Sequence, residues 1–361
     1  MKVVHVIYSL EIGGAQRLLS EILPLTMNRG LDVSVLVFFR LHNDFERKIE
    51  DAGIEIISLD TKTKFSIKVF ITLVRILNKW DIAHVHLFPA LYIVSLLSFF
   101  FPSLRLVYTE HSTHNKRRNR KKLRNVERFI YGRYKRIISI STQTQDKLLK
   151  WLNIKNENSQ FVIIENGVNL TDYSFYIGQE NQEKKNILMV SRFSDQKDQV
   201  SLIRALEYIK TPDVYVFFAG EGPNLEKCKK MAKESDLYDR IKFLGNRSDI
   251  PKLIAESYIG VQSSIWEGFG LTAVEFMAGG KPIIASNVDG LKQVVEGAGL
   301  LFEVGDYKEL ACKIDILLNN KSYYKMISKR CIKRSEEYNI NSMVDKYINI
   351  YESLMNCNSH D

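Results

Sequence analysis

The chain of 361 residues has little of what staples a small protein or anchors one in a bilayer. Its four cysteines are Cys228, Cys312, Cys331 and Cys357, and no two stand at C-x-x-C spacing or beside a histidine cluster. That argues against a zinc site or a disulfide framework and predicts reduced thiols in a cytosolic protein. Long apolar runs are lacking too. The stretch ALYIVSLLSFFF (90–101), bounded by Pro89 and Pro102, is shorter than the ~20 residues that span a bilayer and reads as a buried core helix. The N-terminal MKVVHVIYSLEIGGAQ is cut by Glu11 and two glycines, which predicts a first β-strand rather than a signal peptide. No period of 20–50 residues recurs, so a repeat array is excluded.

What remains is a soluble globular composition: 45% hydrophobic, 26% charged, with a formal charge of +9. The length suits two domains, each burying its own core. Short β-branched runs alternate with amphipathic stretches. VVHVIY (3–8) precedes a helical pattern from Ala15 to Met27. VSVLVF (33–38), IEIISL (54–59), IAHVHL (82–87), LRLVYT (104–109), IISIS (137–141) and FVIIEN (161–166) complete the first half. This alternation predicts an α/β fold with a parallel sheet covered on both faces. The polar stretch 169–185, carrying Gly178, reads as a linker. The pattern resumes with NILMVSR (186–192), VYVFFAG (214–220), IKFLG (241–245), YIGVQSS (258–264) and PIIAS (282–286). The domains are therefore expected at 1–168 and 186–338, with 339–361 carrying a closing helix over 342–356.

In open parallel sheets ligands bind beyond the carboxyl ends of strands, so two facing sheets would line a cleft with strand-end loops. The chemistry-bearing motifs follow strands. Gly13 and Gly14 stand between the first strand and its helix, in neither a G-x-G-x-x-G nor a P-loop pattern; a plain tight turn competes with a phosphate-approach loop. His111 follows LRLVYTE, where a side chain can enter the cleft, although a lone histidine is by default structural. His114 lies further into the loop and carries no role. Arg192 and Lys197, in RFSDQKDQ, can converge on a diphosphate or be two solvated surface charges. AGEGPNLE adds a glycine-rich turn at 220–222, and FLGNRSD (243–249) offers a wall for a nucleotide base. In EGFGLTAVE (267–275), Glu267 precedes a glycine turn and Glu275 falls inside a helix that opens at Leu271. N–H groups near Phe269, Gly270 and Leu271 would then meet an anion. Each carboxylate can accept paired hydroxyl hydrogen bonds. A ligand with an anionic centre and sugar hydroxyls on both sides is a nucleotide-diphosphate sugar.

GGAQ, EHS, SRFSDQKD, AGEGP and EGFGLTAVE, in this order, resemble the family 4 retaining glycosyltransferases of GT-B fold. The resemblance covers nearly the whole chain, and E-x7-E at 267–275 is its most specific mark. It implies two Rossmann-like domains facing across a cleft, with the closing helix crossing back to the first. It implies a nucleotide-sugar donor (a UDP-sugar favoured) and a glycan acceptor, lipid-linked, in surface polysaccharide synthesis such as lipopolysaccharide or capsule. By position, Gly13 and Gly14 would face the donor diphosphate, Arg192 and Lys197 would hold it, and His111 and Glu267 would meet the transferred sugar. Backbone at Phe269, Gly270 and Leu271 would support the phosphate, and Glu275 would bind the ribose. No cofactor and no metal are expected, since Arg192 and Lys197 supply the positive charge. The chain departs from the family at Gln16, at Lys197-Asp198 in place of Lys-Gly, and at Gln293 in NVDGLKQ. A non-catalytic nucleotide-sugar or nucleic-acid binder, and a GT-B phosphorylase or synthase, are the competing readings.

HNKRRNRKKLRNVER (114–128) concentrates Lys116, Arg117, Arg118, Arg120, Lys121, Lys122, Arg124 and Arg128. A solvated face competes with attraction to anionic lipid, at ~1 kcal/mol per residue near such a surface. Nucleic acid is not expected as a partner, because no recognition motif or aromatic platform accompanies the run. The expected place is the cytoplasmic face of the inner membrane, peripherally bound.

Overall fold

The computed structural model describes residues 1–11, 13–61, 66–113, 115–155, 158–175, 177 and 185–356, apart from the Lys116 side chain. His114, Gly178 and Cys357 lie outside the described residues. The chain forms two compact units: residues 1–167 with the segment from Ile340, and residues 168–339.

The first unit holds β1 (Lys2–Val6), β2 (Asp32–Val37), β3 (Ile56–Ser58), β4 (Ile82–His86), β5 (Arg105–Glu110), β6 (Arg136–Ser139) and β7 (Phe161–Ile163). They make one parallel sheet in the order β3-β2-β1-β4-β5-β6-β7. Side chains alternate between faces, so neighbours in sequence serve different cores. Val4 and Val6 pack with Leu36, Leu73 and Tyr108 on one face, while Val3 and Ile7 pack with Leu19, Val35 and Tyr347 on the other. Covering both faces favours apolar residues at most strand positions, which is why these segments read as largely hydrophobic runs, with His5, His84 and His86 as buried polar exceptions. The helix Ile340–Asn356 belongs to this unit and buries Met343, Val344, Tyr347, Tyr351 and Leu354. Each such side chain contributes roughly 1.5–3 kcal/mol through the area it hides from water. Asp345 on its outer face accepts a hydrogen bond from Arg29 Nε at 2.5 Å.

The second unit holds β8 (Lys185–Val190), β9 (Val214–Ala219), β10 (Ile241–Phe243), β11 (Ile259–Gln262), β12 (Ile283–Ser286) and β13 (Leu300–Phe302). Their order is β10-β9-β8-β11-β12-β13, again parallel. The chain crosses from β10 to β11 on the far side of β8, so β8 and β11 are adjacent central strands. The loops after them leave side by side at a topological switch point, where α/β sheets bind ligands.

Three sequence expectations need correction. β13 was not anticipated: three residues are too few to display a period. The segment taken as linker includes a short helix, Leu170–Ser174, whose Tyr173 is buried. The run 90–101 is a core helix only over Ala90–Leu97, followed by a 3-10 turn, Ser98–Phe100. Leu96, within that helix, and Phe99 and Phe100, in the turn, are 47%, 60% and 64% exposed. No helix among the described residues is long and apolar enough to cross a membrane.

Candidate active site

In the second unit, four strand-end loops are stitched together, and glycines make the stitching possible. Gly220 and Gly222 have φ of +136° and +152°. A Cβ on them would stand 2.1 Å from the Ser191 carbonyl oxygen and 2.2 Å from that of Phe193. The Gly-Glu-Gly turn thus lies flush against the strand end bearing Arg192, and Phe193 N–H donates to the Glu221 carbonyl at 2.9 Å. Arg192 itself is exposed, with no ion pair among the described residues.

The loop holding Lys197 is pinned to the loop after β11. Ile265 N–H donates to the Gln196 carbonyl at 2.8 Å, Gln196 Nε2 donates to the Trp266 carbonyl at 3.0 Å, and Ser263 Oγ donates to the Asp198 carbonyl at 2.7 Å. Asp198 takes a left-handed conformation, φ +45°, just before the helix Gln199–Ala205. Glycine adopts that conformation freely, and aspartate is among the few residues that tolerate it. The Lys-Asp departure from the family pattern therefore keeps a glycine-like backbone. Burial pushes the Asp198 carboxyl up from its ordinary range, while Ser201 Oγ donates to it at 2.5 Å.

These pins bring Lys197 Nζ onto Glu267 Oε2 as an ion pair. Ser264 Oγ donates to the same oxygen at 3.3 Å, and Gly268 N–H donates to Oε1 at 3.2 Å. Gly290, at φ +89°, completes the packing: a Cβ there would meet the Glu267 carbonyl oxygen at 2.7 Å. The loop after β12 thus supports the backbone of Glu267 directly. Gly270, at φ +98°, turns the chain into the helix Leu271–Ala278. The first N–H groups of that helix have no acceptor within it, and its dipole favours negative charge there. Glu275 sits inside the helix and is 3% exposed. The Phe269 ring is buried against Tyr338, centroids 5.3 Å apart, so this residue offers a ligand its backbone rather than its ring.

In the first unit, Gly14 opens the helix Gly14–Met27 and Gly13 precedes it in extended conformation. A Cβ on Gly14 would meet nothing within 4 Å, so neither backbone strain nor packing within the chain requires glycine there. His111 follows β5 and bonds to His86, which bonds in turn to His5. His84 lies beside them, bonded to Tyr351 and Thr109. Sequence reading named only His111 of this group. Part of the signal was present, since His84 and His86 stand at period 2 on one strand; that His5 is in register with His84 on the neighbouring strand is shown only by the sheet.

The basic stretch divides. Arg117 Nε donates to fully buried Glu127 at 2.8 Å, a carboxylate that also accepts from Tyr92 and Trp151, each at 2.6 Å. Arg118 donates at 3.1 Å to buried Glu110, which accepts from Tyr131 at 2.7 Å. The Arg124 guanidinium lies 5.2 Å from the Trp151 ring centroid. A buried carboxylate without a partner is costly, so Arg117 and Arg118 are drawn inward. Arg120, Lys121, Lys122 and Arg128 are left exposed.

A family model described as Glycosyltransferase Family 4 matches residues 12–172, and one described as Glycosyl transferases group 1 matches residues 174–334. An uncharacterized glycosyltransferase of Haemophilus influenzae is 31% identical over 170 residues, 46% of this chain and 48% of that protein. The UDP-Gal:alpha-D-GlcNAc-diphosphoundecaprenol alpha-1,3-galactosyltransferase of Escherichia coli is 25% identical over 237 residues, 61% of this chain and 60% of that one. The matches thus span about half to three fifths of these curated relatives. Among solved structures, Anabaena HepE in complex with UDP and glucose superposes with a TM-score of 0.85 at 22% identity, covering 98% of this chain and all 100% of that one. The sucrose-phosphate synthase of Thermosynechococcus elongatus gives 0.80 at 19% identity, covering 99% and 100%. The two parallel sheets, matched over 98% of the chain, show the GT-B fold, and the two family models, side by side over nearly the whole sequence, place the chain in glycosyltransferase family 4.

Proposed function

We propose that the protein transfers a sugar from a nucleotide-diphosphate donor, a UDP-sugar by preference, to a glycan acceptor carried on a lipid diphosphate. The reaction retains anomeric configuration and needs no metal. The observation that carries this reading is the Lys197–Glu267 pair, locked by glycine contacts just ahead of the helix Leu271–Ala278. Cation, carboxylate and helix N–H groups are what a sugar diphosphate requires. The donor class is supported by HepE, solved with UDP-glucose. The acceptor class is supported by relatives from Escherichia coli and Campylobacter jejuni, whose names specify diphosphoundecaprenol acceptors.

Cleaving the anomeric C–O bond builds negative charge on the leaving diphosphate. Lys197, Arg192 and the N–H groups at Phe269, Gly270 and Leu271 are assigned to that charge, with Lys197 held in place by its ion pair before the reaction begins. Gly13 and Gly14 are assigned to the diphosphate as well. Glu267 takes hydroxyls of the transferred sugar, His111 the same sugar, and Glu275 the ribose. The leaving phosphate takes the acceptor's proton during same-face attack, so no covalent enzyme intermediate is needed.

Membrane attachment fits a surface of mixed character on the first unit. Phe99 and Phe129 are exposed and their rings lie 6.2 Å apart, with the Arg133 guanidinium 4.2 Å from the Phe99 centroid. Phe100, Leu96 and Val126 are exposed as well, and the helix that carries Val126 and Phe129 also carries Arg128. Aromatic side chains flanked by cations suit an anionic lipid interface. This surface supports the reading that the protein works at the cytoplasmic face of the inner membrane, in polysaccharide synthesis.

The deciding experiment is a thermal-shift panel of nucleotide sugars, followed by turnover with the best ligand in the presence and absence of a chelator. A UDP-sugar is expected to raise the melting temperature and to be consumed in both conditions. Stabilisation by no nucleotide sugar would remove the donor assignment.

A further inference from the structure

His5, His86 and His111 form a continuous chain of imidazoles in the first unit. His5 Nδ1 lies 3.0 Å from His86 Nε2, and His86 Nδ1 lies 3.0 Å from His111 Nε2. Sheet register dictates this: His5 on β1 pairs with His84 on β4, and His86 follows on the same face. His84 backs the chain, its ring stacked on His86 with centroids 4.3 Å apart. Its nitrogens are held by Tyr351 OH at 2.6 Å and Thr109 Oγ1 at 2.7 Å. Nitrogens of His5, His84 and His86 gather within 4.8 Å, as in a metal centre. Both nitrogens of His84 and both of His86 are already engaged in hydrogen bonds, so the cluster is better described as a hydrogen-bonded wire.

Burial keeps these rings neutral, lowering His5 to about 3 and His111 to about 4, and holding His86 well below its ordinary range. A neutral imidazole has one donor nitrogen and one acceptor nitrogen. Once the proton on His5 is placed, every other proton in the chain follows. If His5 carried it on Nε2, an N–H would be buried without a partner, since that atom has none among the described residues. An orphaned buried donor is rarer and costlier than an under-used lone pair. The proton therefore belongs on Nδ1. His5 donates to His86 Nε2, His86 Nδ1–H donates to His111 Nε2, and the His111 proton stands on Nδ1. That nitrogen has no partner among the described residues, and His111 is only half-buried.

We infer that His5 and His86 are positioning residues that fix His111 as a neutral Nδ1–H donor for an uncharged oxygen, such as a sugar hydroxyl. The ligand class rests on the transferase reading above; the tautomer does not. Such a ring presents no lone pair at Nδ1, so it donates a hydrogen bond and does not abstract a proton there.

The test is proton–nitrogen correlation spectroscopy of the full chain with isotope-labelled histidine near neutral pH. His86 and His111 are each expected protonated on Nδ1 and bare on Nε2, before any substrate is added. Protonation of His111 on Nε2 in the wild type overturns the inference, whether or not any variant folds. In His86→Phe, His111 should lose its single tautomer, and turnover should drop about tenfold or more with donor KM little changed. A His111 that stays wholly Nδ1–H in both His86→Phe and His5→Phe also overturns it. If the wild-type pattern holds while no nucleotide sugar is turned over, the tautomer assignment stands and the transferase reading is what fails.

Discussion

Lys197 and Glu267, 70 residues apart in sequence, form an ion pair in the second unit, their side chains 20% and 14% exposed. Each neutralises the other, so an arriving diphosphate would compete with Glu267 for the ammonium. A double-mutant cycle of Lys197→Ala and Glu267→Ala, followed by urea unfolding, is expected to give a coupling of about 1 kcal/mol. Strict additivity would contradict the pair.

The two glutamates of EGFGLTAVE occupy different settings, one in a polar loop and one buried in a helix. Glu267→Ala should mainly lower kcat, by about a hundredfold. Glu275→Ala should mainly raise the donor KM, by about tenfold. Steady-state kinetics with the best donor decides this; equal effects on both parameters in both variants would contradict separate roles.

Two glycines predict opposite outcomes. Gly222→Ala places a Cβ against the Phe193 carbonyl at a positive φ and should destabilise the protein by about 2 kcal/mol or more in urea unfolding. Gly14→Ala meets open space at a helical position, so its stability should stay level or rise by ~0.4–1 kcal/mol. Lost turnover in a stable Gly14→Ala would mark it as a point of ligand approach. A Gly222→Ala variant as stable as the wild type would contradict the packing.

Arg118→Ala strips the cation from Glu110, whose side chain is 5% exposed, and should cost about 3 kcal/mol. Replacing Arg120, Lys121 and Lys122 by alanine should leave unfolding within ~0.5 kcal/mol for each change. The same triple change should reduce sedimentation with anionic liposomes. Binding indifferent to anionic lipid content, in wild type and variant alike, would sink the membrane surface.

The buried histidines set a pH dependence. Their folded pKa values lie below the unfolded value of ~6.5, so protons bind the unfolded chain first. The stability they allow is intact above that pH and is lost as pH falls toward about 3 for His5. His5, His84 and His86, packed against Thr109, Tyr347 and Tyr351, should each contribute a slope of about 1.4 kcal/mol per pH unit below ~6.5. Urea midpoints measured through this range should fall steeply before carboxylates titrate. A flat profile from neutral to mildly acidic pH would exclude neutral burial.

Much of the fold was legible because its signals are local. Strands buried on both faces are apolar at most positions, and VVHVIY or NILMVS says so in six residues. The glycines of EGFGLTAVE announced a turn into a helix, which opens at Leu271. Weak signals were missed where elements are short, as at β13 and in Leu170–Ser174. The basic run 114–128 divides for a reason that no local pattern shows. Its charges look alike in sequence, and only the buried acids Glu110 and Glu127 sort them.

By itself, then, the sequence determined two parallel-sheet units, their strand-end motifs and the place of Glu267 and Glu275 around a helix start. Periodicity, turn residues and motif order are properties of neighbouring residues, and they survive without a fold. Tertiary structure alone decided that Lys197 meets Glu267, that Gly290 supports the Glu267 backbone, and that His5 and His86 reach His111. Those contacts depend on strand order and register, which bring together residues far apart in the chain; no local pattern encodes a distance between them.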